Sequence, residues 1–284
     1  MSLRVEDAFR ADIVEVGRRM YARGYVASND GNISIRLDDD TVLTTPKSVS
    51  KGFMTTDMMV VVDLDGRKLR GVRDASSELL MHLEVYRNRP DVRAVVHAHP
   101  PTATGFAVAG IPLDRAVLAE VITTLGSIPI AEYGTPSTPE LPAAVRKYIK
   151  AHDGLLLANH GALTIGADVF GAYYKMETIE HFARISLVTR QLGRENLLSR
   201  DEVQRLQQLR GNYGIKAPAP ICADGSEPAD AEQAACQIVE APASRARLVP
   251  TDPADLDGEI RLSYRELTAL IEDAVKALLG GQHG

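Results

Sequence analysis

A break in composition near residue 217 limits how much of this 284-residue chain can share one core. Between Ala217 and Pro253 there is no Phe, Tyr, Trp or Lys, and six of the 15 prolines fall there (Pro218, Pro220, Pro228, Pro242, Pro250, Pro253). Such a segment cannot bury enough apolar surface to offset its ordering entropy, so residues 217–260 read as a flexible Ala/Pro-rich linker. Beyond it, Tyr264, Leu267, Ile271, Ala274, Val275 and Leu278 recur at helical spacing, Ser263 with Glu266 makes a capping box, and Gly280 supplies a stop. Residues 261–281 are therefore expected to form an amphipathic helix with no core of its own. Its apolar stripe has to dock on its own body, on another subunit or on a separate partner. That leaves residues 1–216 as the folded body.

Within the body, helix and strand signals alternate. Phe9, Ile13, Val16 and Met20 mark a first helix, which leads into the turn cluster Ser28-Asn29-Asp30-Gly31-Asn32. Ile33, Ile35 and Leu37 alternate with polar residues, Thr41–Thr45 pairs with them across Asp38-Asp39-Asp40, and Met58–Leu64 is a third β-rich run. Further on, helices are expected at Ser76–Arg89, Pro139–Ala151 and Asp168–Leu192, and strands at Arg93–His99 and Leu155–Ala158. The pattern is α/β in layers. There is no internal repeat, and the glycines form neither the G-x-G-x-x-G dinucleotide fingerprint nor a P-loop.

Charge and hydropathy narrow the partners. There are 32 Lys and Arg against 38 Asp and Glu, a net charge of −6, which offers nucleic acid and anionic membrane no electrostatic footprint. No run approaches the ~18 apolar residues of a membrane span, and Met1–Asp7 lacks the apolar core of a signal peptide, so the cytoplasm is the expected location. Cys222 and Cys236 both fall in the linker and read as free thiols.

Three histidines carry the chemistry. His97 and His99 flank Ala98 in a strand, and residues two apart share a face, so both imidazoles can reach one metal ion. His160, in Asn159-His160-Gly161, ends another apolar strand at a glycine turn, from which a third imidazole can reach the same sheet edge. Ser76-Ser77-Glu78 at a helix start offers hydroxyls, free amides and the positive end of a dipole to an anion, with simple capping as the plainer role. Gly31-Asn32 offers amides in the same way. His82, one turn after Glu78, reads as a surface partner, and Asp114 and Glu120 as solvated carboxylates; His152 and His181 are assigned no chemistry.

Taken in order, Gly31-Asn32-Ile33-Ser34, Thr45-Pro46, Ser76-Ser77-Glu78, His97-Ala98-His99 and Asn159-His160-Gly161 resemble the class II aldolase/adducin family, most closely its L-fuculose-1-phosphate aldolase branch, over roughly Phe9 to Ile215. The resemblance implies a three-layer fold with a central, mainly antiparallel sheet between helices, assembled as a homotetramer with sites at subunit interfaces. It implies one Zn2+ or other divalent metal per subunit on His97, His99 and His160. Glu78 would be both the catalytic acid/base and a ligand in the resting site, and Gly31, Asn32, Ser76 and Ser77 would hold a substrate phosphate. Two positions depart from the pattern. Lys47-Ser48 stands where the related aldolases have Thr-Gly on the phosphate, and Lys47 would add a cation; residues 112–126 contain no tyrosine at the place of a catalytic one. Tyr213 matches the family's C-terminal tyrosine, which acts on the aldehyde half in a neighbouring subunit, with a helix-end aromatic anchor as its plainer role.

The expected activity is metal-dependent cleavage of a phosphorylated sugar, a ketose 1-phosphate, to dihydroxyacetone phosphate and a small aldehyde such as lactaldehyde. An L-ribulose-5-phosphate 4-epimerase, a sugar-acid phosphate decarboxylase and a non-catalytic adducin-like binding protein stay open as alternatives. The tail resembles the encapsulation peptides of bacterial microcompartment cargo, which would make shell proteins a partner and the microcompartment lumen a location.

Overall fold

In the computed structural model, residues 3–215 are described; the linker expected at 217–260 and the helix expected at 261–281 lie outside the described residues. In chain order the elements are α1 (Leu3–Ala22), β1 (Asn32–Arg36), β2 (Thr41–Thr44), β3 (Val60–Asp63), β4 (Lys68–Arg70), α2 (Leu79–Asn88), β5 (Ala94–Ala98), α3 (Pro101–Ala109), α4 (Ala119–Thr124), β6 (Ile130–Ala131), α5 (Glu140–Arg146), β7 (Gly154–Leu157), β8 (Gly161–Gly166), α6 (Val169–Gln191) and α7 (Arg200–Leu209). The β1–β2 hairpin forms where the sequence places it because Asp38 Oδ1 accepts from the Asp40 and Thr41 amides at 3.1 and 2.8 Å. Likewise α6 starts at Val169 because the Asp168 carboxylate accepts from Gly171 N at 2.8 Å.

The eight strands make one sheet in the order β4-β3-β2-β1-β5-β8-β7-β6, antiparallel throughout except for β6 against β7. Strand side chains alternate faces, and both faces are covered. On one, Ile33, Ile35 and Val96 meet Ile13 and Met20 of α1, Phe106 of α3 and Met176 and Phe182 of α6. On the other, Val60, Val95 and Leu163 meet Leu83 and Tyr86 of α2 and Leu141 and Val145 of α5. Each fully buried aliphatic side chain contributes about 1.5–3 kcal/mol. The result is the three-layer architecture that the motifs implied. Among the described residues no helix is long and apolar enough to cross a membrane.

Three local expectations change. The helix expected from Ser76 begins at Leu79, because Ala75 forms a β-bridge with Pro46 and Ser76 N donates to Thr45 O at 3.1 Å, which keeps this stretch out of the helix. The helix expected over Pro139–Ala151 ends as an α-helix at Arg146. His82 is not a surface partner; it is fully buried, because β1 presents Asn32, Ser34 and Arg36 to the α2 face of the sheet. There Ser34 Oγ lies 2.7 Å from His82 Nδ1 and 2.8 Å from Tyr86 Oη, and Arg36 stacks over the Tyr86 ring. Burial pushes His82 down to about 3, so it is neutral at ordinary pH.

The helix that follows His99 is anchored from a distance. Glu180 on α6, 1% exposed, accepts from Thr102 N (3.0 Å), Thr102 Oγ1 (2.8 Å) and Ala103 N (2.9 Å), so a buried carboxylate satisfies amides in the first turn of α3. Glu180→Ala should therefore lower the unfolding free energy by about 2–4 kcal/mol in urea titration, since it orphans those buried donors; a change under about 0.5 kcal/mol would show that the anchor is dispensable.

Candidate metal and active site

The site assembles at one end of the sheet from four segments far apart in sequence. The β1–β5 register sets Asn32 opposite His97, and the β5–β8 register sets His97 opposite Leu163 and Ala98 opposite Ala162. The β7–β8 hairpin turns through Asn159 and His160, bringing the third imidazole over the end of β5. The ring centroids of His97, His99 and His160 are 4.7–5.0 Å apart. Glu78, the residue just before α2, points its carboxylate into the cluster: Oε2 is 3.4 Å from His97 Nε2, and Oε1 is 3.0 Å from His160 Nε2. Asn32 Nδ2 donates to Glu78 Oε2 at 2.9 Å, so the Asn32 side chain orients the carboxylate.

Proton bookkeeping on the rings tests whether the cluster suits a metal ion. His97 Nδ1 lies 2.9 Å from the Ala162 carbonyl, which can only accept, so the proton sits on Nδ1 and Nε2 is bare. His99 Nδ1 faces Asp30 Oδ2 at 3.4 Å, with the same consequence. The Nε2 atoms of His97 and His99 are nevertheless only 3.1 Å apart. Two bare nitrogen lone pairs at that separation repel unless a cation lies between them. Burial holds both rings below the ordinary histidine value, which favours the neutral, ligating form. Burial also opposes ionisation of Glu78, but the facing His97, His160 and His99 outweigh it and hold the carboxyl well below its usual range. The three imidazole nitrogens, within 4.8 Å of one another and with the Glu78 carboxylate beside them, suit a divalent ion.

Beside the cluster opens a polar cleft of about 220 Å³ lined by Gly31, Asn32, Lys47, Ser48, Ser76, Ser77 and Glu78, together with Lys51, His99 and His160. Sequence reasoning named the first seven and both histidines. It missed Lys51, whose only signal is burial, and Ser137, which also lines the cleft. The cleft walls are pinned by backbone: the Pro46–Ala75 bridge and Lys47 N to Asp74 O, 2.9 Å, join the 45–48 loop to the segment before α2. Ser76 Oγ accepts weakly from Glu78 N, at 3.3 Å, and no side chain caps α2, so the plainer capping role is only partly filled. Among the described residues, every non-glycine with positive φ adjoins this site: Ser28 (49°), Ser48 (57°), Ser137 (65°) and Asn159 (54°). Such backbone costs on the order of 1–3 kcal/mol per residue and is held in place by its surroundings. The Tyr213 side chain lies outside the described residues, and Asp114 is half-buried rather than solvated, with burial raising its carboxyl.

Residues 11–187 match the Class II Aldolase and Adducin N-terminal domain, more than half of the chain. The chain belongs to that family. This family member is 33% identical to an L-fuculose phosphate aldolase of Methanococcus maripaludis over 64% of its length and 97% of the relative's. It is 31% identical to a 3-oxo-tetronate 4-phosphate decarboxylase of Pectobacterium atrosepticum, over 66% of this chain and 87% of the other. A solved L-fuculose 1-phosphate aldolase superposes with a TM-score of 0.68 at 27% identity, covering 73% of this chain and 97% of that one. The three-layer body is therefore the class II aldolase fold.

Gly161 gives the site its tightest steric constraint. A Cβ there would lie 2.5 Å from Ala98 O and 2.6 Å from His99 Cδ2, forcing the ring and the end of β5 to move. Gly161→Ala should lower the metal bound per chain, read by elemental analysis after dialysis, to less than half that of the unaltered protein, and should destabilise the fold by about 1–3 kcal/mol. Full metal content in that variant would show that His99 need not sit where it does.

Proposed function

We propose that this protein is a metal-dependent aldehyde-lyase that cleaves a ketose 1-phosphate to dihydroxyacetone phosphate and a small aldehyde such as lactaldehyde. The observation that carries the reading is the Glu78 carboxylate facing three convergent imidazoles at the edge of a cleft lined with hydroxyls and amides. His97, His99 and His160 would hold the ion, zinc being suited to a three-nitrogen set with positions left open. When bound, that ion supplies Lewis acidity at the substrate carbonyl and offsets the charge of Glu78.

The chain's own residues do the rest. Gly31, Asn32, Lys47, Ser48, Ser76 and Ser77 would orient the phosphate end of the substrate and leave C3 over Glu78. Breaking the C3–C4 bond sends its electron pair to the three-carbon fragment, while the C4 hydroxyl loses its proton and becomes the aldehyde. A proton must then be added at C3. Glu78, aimed by Asn32, is placed to carry that proton: it takes one from C3 in the condensation direction and returns it in cleavage. Tyr213 is our candidate for the proton at the C4 oxygen. The reading also carries a homotetramer, a cytoplasmic location and, through residues 261–281, docking on microcompartment shell proteins.

A second reading is favoured by the similarity to a 3-oxo-tetronate 4-phosphate decarboxylase. Losing CO2 beside a ketone leaves the same kind of carbanion to be protonated, so the same carboxylate and ion would serve. The two are separated by the substrate that is turned over. The zinc-loaded chain should release triose phosphate, detected with glycerol-phosphate dehydrogenase, from at least one of L-fuculose, L-rhamnulose and 5-deoxyribulose 1-phosphates; CO2 from a 3-oxo sugar-acid phosphate with no triose phosphate from any of the three would replace the aldolase reading by the decarboxylase. Glu78→Gln, which keeps shape and loses the base, should cut turnover by on the order of 10²-fold or more while metal content stays at the unaltered level; retained turnover would remove Glu78 from the mechanism.

A further inference from the structure

Lys51 is the one fully buried lysine among the described residues, 2% exposed, and neither the motifs nor the reaction accounts for it. It lies in the short 3₁₀ turn Lys51–Phe53 that follows the 45–50 loop, and it lines the floor of the cleft. Its ammonium donates to Asn29 O at 2.9 Å and to Val49 O at 2.7 Å. Those carbonyls belong to different walls. Asn29 is two residues before Gly31 in the turn that enters β1, and Val49 directly follows Ser48, whose φ of 57° is a conformation that needs outside support. One side chain therefore sets the distance between Gly31 and the Lys47–Ser48 loop, the two backbone walls of the cleft.

Burying an ammonium is costly unless its charge is used or compensated. A purely structural cross-link between two carbonyls could be made by a neutral donor at less cost. Burial lowers the Lys51 ammonium to about 8, while the charges of Asp30 and Glu78 act in the opposite direction, so the group stays largely protonated at neutral pH. Two of its three N–H donors go to carbonyls. The cation sits behind a cleft whose other lining charges include two carboxylates, Asp30 and Glu78.

We infer that Lys51 is a positioning residue for the substrate's phosphate: it ties the two backbone walls of the anion cradle together and supplies the cradle's buried positive charge. The inference rests on reading the cleft as a phosphate site. Lys47, at the exposed rim, is the cation visible in the sequence; Lys51 is the one the fold locks in place.

The test uses the full-length, zinc-loaded chain and inorganic phosphate as the probe, so that binding is read without turnover. Lys51→Gln keeps amide donors and loses the charge; Lys51→Met loses both. Both should weaken phosphate at least tenfold by calorimetry with metal content unchanged, and in turnover the loss should appear in KM rather than kcat. Phosphate affinity within twofold of the unaltered protein in Lys51→Gln overturns the charge role, and the same result in Lys51→Met overturns the whole inference. Should a variant fail to fold, hydrogen exchange on the unaltered chain decides: phosphate should slow exchange in 29–32 and 47–51 together, and protection of one segment without the other counts against the tie. Absence of any phosphate binding by the unaltered protein would instead remove the phosphate reading itself.

Discussion

Antiparallel pairing of β1 with β5 holds this site together, because it sets Asn32 opposite His97 and so joins two motifs 65 residues apart in the chain. Side chains alternate with a period of two, and a one-residue slip would exchange the faces of every residue on β1. Ile33 and Ile35 would then leave the core formed with α1 and α6, and Asn32 would turn away from Glu78. Register is thus enforced by apolar burial on one face of the sheet and used for chemistry on the other. The β7–β8 hairpin adds His160 by the same logic, since its pairing to β5 sets the height at which the third ring arrives.

The α2 face of β1 is polar where a sheet buried on both sides is usually apolar. Asn32, Ser34 and Arg36 meet Glu78, His82 and Tyr86, which recur every fourth residue along the start and body of α2. Each pair exchanges a hydrogen bond or stacks, which offsets part of the cost of burying this polar seam, while Asn32 Oδ1, Arg36 Nε and His82 Nε2 are left without a partner. That seam aligns α2 on the sheet and so fixes where Glu78 sits relative to the histidines. Its far members, Ser34, His82 and Tyr86, belong to the scaffold; its near members, Asn32 and Glu78, belong to the site.

Much of this was legible from residue types and spacing. Apolar periodicity located α1, α6, the β1–β2 hairpin, β5 and β7, because each buries a face of its own and the pattern is local. The histidines, Glu78 and the serines before α2 were legible because their chemistry is specific and their order distinctive. The strand β8 was not: Gly161–Gly166 is six residues bounded by glycines, and its identity as a strand comes from pairing with β5 and β7 on its two sides. His82 was misread for a related reason, since α2 is buried on the side where its sequence looks amphipathic and polar, and only the polar face of β1 makes that burial tolerable.

The amino-acid sequence by itself determined the family and the layer architecture, and it named the three histidines that the fold brings together. All of these follow from residue identity, spacing and composition. Tertiary structure alone decided that Ser76 and Ser77 stand before the helix rather than in it, that the Asn32 side chain aims Glu78, and that Lys51 spans two walls of the cleft. The physical reason is common to the three. Each depends on which carbonyl, carboxylate or strand edge lies within about 3 Å, a distance set by sheet register and by desolvation of the pair, and neither is written in the local sequence.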